Sequence, residues 1–164
     1  MPYKLRTIKN FPKKGVNFLD ITPLLRDDFR GMIMDIADMF YDPDVIVGIE
    51  ARGFIIGSAL AYLYDCGFVP VRKAGKLPHK TIKEISKSEY GEDVLEIHRD
   101  AIKKGQKVII VDDVLATGGT TLATIKLVER LGGIVDGIAF LAEIKKIKGR
   151  EKLKGYLVHS LIKI

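Results

Sequence analysis

The stretch 107-KVIIVDDVLATGGTTLATIKLVERLGG-133 decides the fold. It opens with 107-KVIIV-111, a near-continuous apolar run of the kind buried on both faces of a parallel sheet. Two aspartates follow, then a run of small and hydroxyl residues. Ile125, Leu127, Val128 and Leu131 come next at helical spacing, and Gly132 and Gly133 stop the helix. Backbone N–H groups at a helix start are unpaired, and the dipole there favours negative charge. Gly118 and Gly119 allow close approach to the backbone, while Thr117, Thr120 and Thr121 add hydroxyl donors. The loop is therefore expected to cradle a phosphate. Asp112 and Asp113 would repel a phosphate set against them, so they must meet something else. Sugar hydroxyls are the natural partner, because an ionised carboxylate accepts charge-assisted hydrogen bonds. A ribose carrying a 5-phosphate has this layout. Carboxylates beneath its ring would also stabilise positive charge developing at the anomeric carbon.

Strands and helices alternate outward from this unit. Strands are expected at 45–49, 68–72, 94–98, around 134–142 and at 156–160. Helices are expected at 27–40, 54–65 and 120–131, with a short basic helix in 147–154. This order predicts an α/β fold with a mainly parallel central sheet flanked by helices. Ligands then bind beyond the carboxyl ends of the strands, which directs attention to the loops after 45–49, 68–72 and 107–111. Residues 1–25, with Pro2, Pro12, Gly15 and Pro23, read as an irregular arm or hood. Residues 73–93 are polar, Lys-rich and weakly patterned. They read as a long functional loop, part of which can pair as a hairpin.

Composition narrows the class. The chain has 164 residues, enough for one domain with a sizeable core, and 47% of them are hydrophobic. No apolar run approaches the roughly 20 residues that span a bilayer. One cysteine, Cys66, forms no intrachain disulfide, and the first residues carry no apolar leader, so a cytoplasmic setting is expected. The net charge of +6 makes anionic partners plausible without choosing among them. Neither G-x-x-x-x-G-K-[ST] nor G-x-G-x-x-G is present, which weighs against P-loop nucleotide hydrolases and dinucleotide enzymes. No helix-turn-helix or aromatic-basic RNA motif is apparent, so neither nucleic acid nor a membrane is expected as a partner.

The run VIIVDDVLATGGTT resembles the phosphoribosyl-pyrophosphate signature of the type I phosphoribosyltransferases. The segments 11-FPKKGVNFLDITPLL-25, 50-EARGF-54, 72-RKAGKLP-78, 88-SEYG-91, 95-LEIH-98 and 148-KGREKL-153 resemble the adenine-specific branch of that family. The resemblance implies a single domain over 1–164. Its reaction would be adenine plus phosphoribosyl pyrophosphate giving AMP and pyrophosphate, with Mg²⁺ held mainly by substrate, in a homodimer. It implies that Asp112 and Asp113 meet the ribose hydroxyls and that Ala116, Thr117, Gly118, Gly119 and Thr120 hold the 5-phosphate. Arg52, Arg72, Lys73 and Lys76 would meet pyrophosphate, partly across a dimer interface. A non-proline cis peptide is implied at Glu50–Ala51. Residues 74–93 become a flexible catalytic loop, with Glu89 exchanging a proton with the purine and Tyr90 beside it. Phe18 would stack on adenine, with Ile144 on the other face. The chain departs from the family at Leu19, where arginine is frequent. A backbone contact there preserves adenine selectivity; a guanidinium contact would not survive. Transfer to hypoxanthine, guanine or xanthine, or a regulator that senses the phosphoribosyl ligand, are the competing readings.

Overall fold

A computed structural model describes residues 3–88 and 91–164. The N-terminal segment contains a two-stranded antiparallel sheet of β1 (Arg6–Lys9) and β2 (Asn17–Asp20), then two short helices, α1 (Thr22–Asp27) and α2 (Phe29–Ala37). After these come β3 (Val45–Ile49), α3 (Arg52–Leu63), β4 (Gly67–Lys73), β5 (Thr81–Ser88), β6 (Gly91–His98) and β7 (Lys107–Leu115). The chain ends with α4 (Gly119–Arg130), β8 (Ile134–Glu143), 3-10 turns at Lys145–Ile147 and Gly149–Leu153, and β9 (Val158–Lys163). Seven strands form one sheet in the order β5-β6-β4-β3-β7-β8-β9. From β4 to β9 the pairing is parallel; β6 runs antiparallel to β4, and β5 to β6. The expected α/β class with a mainly parallel sheet holds.

Strand pleating sends alternate side chains to opposite faces. Val45, Val47, Val108 and Ile110 join the core beneath α4. Ile46, Ile109 and Val111 join a second core with α1, α2 and α3. A sheet covered on both faces needs apolar residues at successive positions, which is why β3 and β7 read as continuous apolar runs. Pro70 sits in β4 below the two-residue register with β6, on a stretch without an outer neighbour, so its missing N–H leaves no gap.

Four sequence expectations change. The helix expected over 27–40 is shorter, α2 over Phe29–Ala37, and Asp28 at φ −147° separates it from α1, which lies mostly in the segment expected to be irregular. The hood is less irregular than its prolines suggest, and Pro23 occupies the first turn of α1, where no N–H partner is lost. The basic 147–154 segment forms 3-10 turns hinged at Lys148 (φ 57°), and the last strand lies at 158–163. Most importantly, much of the expected loop over 74–93 is the β5–β6 hairpin, registered from Thr81↔His98 to Ser88↔Gly91. Its pleat puts Ile82, Glu84 and Ser86 on one face and Lys83, Ile85 and Lys87 on the other, so neither face is uniformly apolar. Glu84 reaches Lys126 and Arg130 on α4, and Ser86 Oγ lies 3.3 Å from Thr120 Oγ1. Ile85, on the other face, is 51% exposed. Hydropathy is blind to a strand whose inward contacts are ionic.

Candidate active site

β7 does not end at Val111. It continues beside β8 through Leu115↔Glu143, so Asp112 and Asp113 are strand residues rather than loop residues. That fixes their positions more tightly than a loop would. Asp113 is buried at 6% exposure. Its backbone N–H donates to Asp112 Oδ1 at 2.8 Å. Burial, then the neighbouring charge of Asp113, pushes the Asp112 carboxyl well above the ordinary aspartate range. The Oδ2 of Asp113 lies 2.7 Å from Arg52 Nε in an ion pair, but off the line of its N–H, so among the described residues this buried oxygen has no hydrogen-bond donor. A buried carboxylate oxygen without a donor is costly unless a ligand supplies one.

Three chambers meet at this pair. The smallest, about 70 Å³, is lined by Asp112, Ala116, Thr117, Gly118, Thr120 and Thr121. Gly118 adopts φ 76° as the N-cap of α4, turning the first helical N–H groups toward that space. A side chain at Gly119 would overlap the carbonyl of Lys87, so β5 lies directly on the start of α4. The second chamber, about 190 Å³, is lined by Glu50, Ala51, Arg52, Lys73, Asp93, Asp112, Asp113 and Thr120. The peptide Glu50–Ala51 is cis, as the resemblance implied. The third, about 640 Å³, is lined by Phe18, Leu19, Arg52, Asp113, Thr117, Ile144 and Ile147 among others. Phe18 and Ile144 therefore share one chamber.

Each cation of the site already has an acidic partner in its own chain. Glu50 accepts from Arg72 Nε at 2.8 Å and from Lys76 Nζ at 2.6 Å. Burial works to raise the Glu50 carboxyl, but Lys76 and Arg72 outweigh it and hold the group below its ordinary value. Lys73 pairs with Asp93 at 3.1 Å in an exposed contact, which contributes little. Arg52 was expected at pyrophosphate; it lines that chamber but also leaves it. Its Nη1 donates to the Leu19 carbonyl at 2.6 Å, and its guanidinium carbon stands 4.5 Å from the centre of the Phe18 ring. Leu19 itself is buried in the core, so at this position it is the backbone that faces the site. Glu89 and Tyr90 lie outside the described residues.

Sequence reasoning missed one supporting group. Arg150 pairs with Glu143 at 2.5 Å and donates to Ser160 Oγ at 3.2 Å and to the Val158 carbonyl at 2.6 Å. This anchors the turn at Gly149, whose carbonyl would stand 2.7 Å from a side chain at Gly118. The turn thus braces the phosphate-sized chamber from behind. The segment 148-KGREKL-153 carried the resemblance but gave Arg150 no role.

Comparison with known proteins follows this geometry. The family model "Phosphoribosyl transferase domain" matches residues 16–161. An adenine phosphoribosyltransferase of Ruminiclostridium cellulolyticum is 56% identical over 165 aligned residues, covering 98% of this chain and 96% of that protein. The crystal structure of adenine phosphoribosyltransferase from Thermoanaerobacter pseudethanolicus superposes with a TM-score of 0.94 at 54% identity, covering 98% of this chain and 95% of that one. The Saccharomyces cerevisiae enzyme, solved with D-2,5-dideoxy-2,5-imino-altritol 1,6-bisphosphate and adenine, gives 0.86 at 41% identity, covering 96% and 93%. With a buried carboxylate beside a helix-start cradle, and relatives of this identity along nearly its whole length, the chain belongs to the adenine phosphoribosyltransferases of the phosphoribosyl transferase domain family.

Proposed function

We propose that this chain transfers the 5-phosphoribosyl group from phosphoribosyl pyrophosphate to adenine, giving AMP and pyrophosphate, as purine salvage requires. The observation that carries the reading is the Oδ2 of buried Asp113, which among the described residues accepts no hydrogen bond, at the junction of three chambers. A ribose diol supplies the missing donors. The 5-phosphate then falls in the chamber of Ala116, Thr117, Gly118 and Thr120, against the N–H groups of α4, while Gly119, which does not line it, lets β5 pack on the helix start. Pyrophosphate falls in the chamber of Ala51 and Lys73, with Arg72 and Lys76 at its edge. Adenine takes the chamber of Phe18 and Ile144, the largest of the three.

In the transfer, the bond from the anomeric carbon to a pyrophosphate oxygen breaks and a ring nitrogen of adenine bonds to that carbon. The leaving oxygen keeps the electron pair, and the proton that the purine ring gives up passes to Glu89, the acid–base group that the resemblance implies. Asp112 and Asp113, beneath the sugar, oppose the positive charge that develops there, while the nearby cations take up the negative charge. The two carboxylates also suit Mg²⁺ carried on substrate oxygens and water. Among the described residues no three acidic, imidazole or thiol groups converge to hold a metal alone. Bound there, Mg²⁺ would neutralise part of the pyrophosphate charge.

A homodimer is proposed on separate grounds. A groove of about 580 Å³ between α2 and α3 is lined by Phe29, Ile33, Met34, Ile55, Tyr62 and Leu63. Tyr62 is 90% exposed there. A second copy would cover it. Light scattering at micromolar concentration should give the mass of two chains; the mass of one removes this part of the proposal. Release of pyrophosphate with each purine tests the function itself. Adenine should support turnover about 10⁴-fold faster than hypoxanthine, guanine or xanthine, since a site built to hydrogen-bond one purine edge rejects another. Turnover with guanine but not adenine overturns the base assignment, and none with any base favours a ligand-sensing regulator.

A further inference from the structure

Around the pyrophosphate chamber, Arg52, Arg72, Lys73 and Lys76 are each paired with an acid before any ligand enters. Glu50 lines the chamber, whereas Arg72 and Lys76 reach it from outside, through Glu50. The Glu50 side chain is 9% exposed and uses one oxygen for each cation: Oε1 for Lys76 Nζ, Oε2 for Arg72 Nε. Two acceptor oxygens on one carbon therefore occupy the two donors that a phosphate group would use. The arrangement is held from behind. Buried Glu96 accepts the backbone N–H groups of Lys76 and Leu77, both at 3.0 Å, and fixes the turn that presents Lys76.

We propose that Glu50 is a built-in stand-in anion that competes with pyrophosphate for Arg72 and Lys76 and so speeds its release. Glu50 touches no reacting atom; it is a positioning residue that acts through the two cations. With product bound, the cations turn from the carboxylate to phosphate oxygens, and the buried carboxylate loses its partners. That loss offsets part of the affinity for pyrophosphate. When pyrophosphate leaves, the pairs re-form, and the cations remain aimed at the chamber for the next donor molecule. A site of free cations would instead hold a multiply charged product tightly. The inference rests on the reading that Arg72 and Lys76 meet pyrophosphate.

The test uses Glu50→Gln, which keeps shape and one acceptor oxygen but removes the charge. Product inhibition by inorganic pyrophosphate, at saturating Mg²⁺ and adenine, is the readout. Removing one unit charge at about 4 Å in a water-like medium should tighten inhibition roughly fivefold. Damage to the fold would weaken inhibition, so a gain is specific to the proposal. Lys76→Ala is the companion variant and should weaken inhibition. If it does while Glu50→Gln leaves inhibition unchanged or weaker, the stand-in role is wrong and the pyrophosphate reading stands. If Lys76→Ala leaves inhibition unchanged, the reading beneath the inference fails, and the inference fails with it.

Discussion

Asp113→Asn lowers kcat/KM for phosphoribosyl pyrophosphate by about 10²–10³-fold, the cost of removing one preorganised group facing developing charge. The asparagine fits the same space in β7, so the backbone N–H to Asp112 Oδ1 is kept. What changes is charge. Oδ2 stops offering a full negative charge to the sugar, and Arg52 loses its 2.7 Å partner. KM for adenine should move less, because the base chamber draws on Phe18 and Ile144. A loss under about fivefold would remove Asp113 from the reaction. The same pair sets a pH dependence. Asp112 is held protonated above the ordinary aspartate range by burial and by Asp113. Only the ionised form accepts two sugar donors, so donor affinity falls as pH falls through that raised value. Stability has the opposite sign. A raised folded-state value favours the protonated fold, so this contribution is complete below the unfolded value and fades as pH rises through the folded one.

Phe18→Ala raises KM for adenine by roughly 5- to 150-fold, since stacking of a base on an aromatic ring is worth about 1–3 kcal/mol. Phe18 is half-buried in β2, held edge-on by Phe11 with ring centres 5.3 Å apart and covered by the Arg52 guanidinium. The hood is thereby tied to the ribose site by one side chain, because Arg52 touches Phe18, the Leu19 carbonyl and Asp113 together. Steady-state kinetics with each substrate varied in turn checks the claim. An unchanged KM for adenine rules out stacking.

How much of this was legible in the chain depends on the range of the interactions. β3, β7 and α4 show in local hydropathy because both sheet faces are covered, and periodicity reports burial directly. The aspartate pair and the Thr-Gly-Gly-Thr loop were readable for the same reason: their chemistry sits in consecutive residues. The run of β7 past Asp113 was not, since it depends on β8 extending to Glu143. The hairpin over 81–98 was readable only as a possible pairing beside the strand at 94–98, because the inward Glu84 of β5 is satisfied by Lys126 and Arg130, more than 40 residues away. Glu50 and Arg72 stand 22 residues apart, and no pattern joins them until the sheet does. Leu19 is instructive in the other direction. The departure matters less than its residue type suggests, because the side chain lies in the core and the carbonyl faces the site.

The central claim is that Asp113, with Asp112, takes the ribose hydroxyls, and one calorimetric comparison addresses it directly. Ribose 5-phosphate and 2-deoxyribose 5-phosphate are titrated into the parent protein and into Asp113→Asn. A hydrogen bond to a charged group is worth about 1.5–3 kcal/mol, so the deoxy ligand should bind the parent roughly tenfold or more weakly. In Asp113→Asn that penalty should shrink to about twofold, because the hydroxyl has lost its charged acceptor. An equal penalty in both proteins would contradict the account, since the hydroxyl would then be bonded elsewhere.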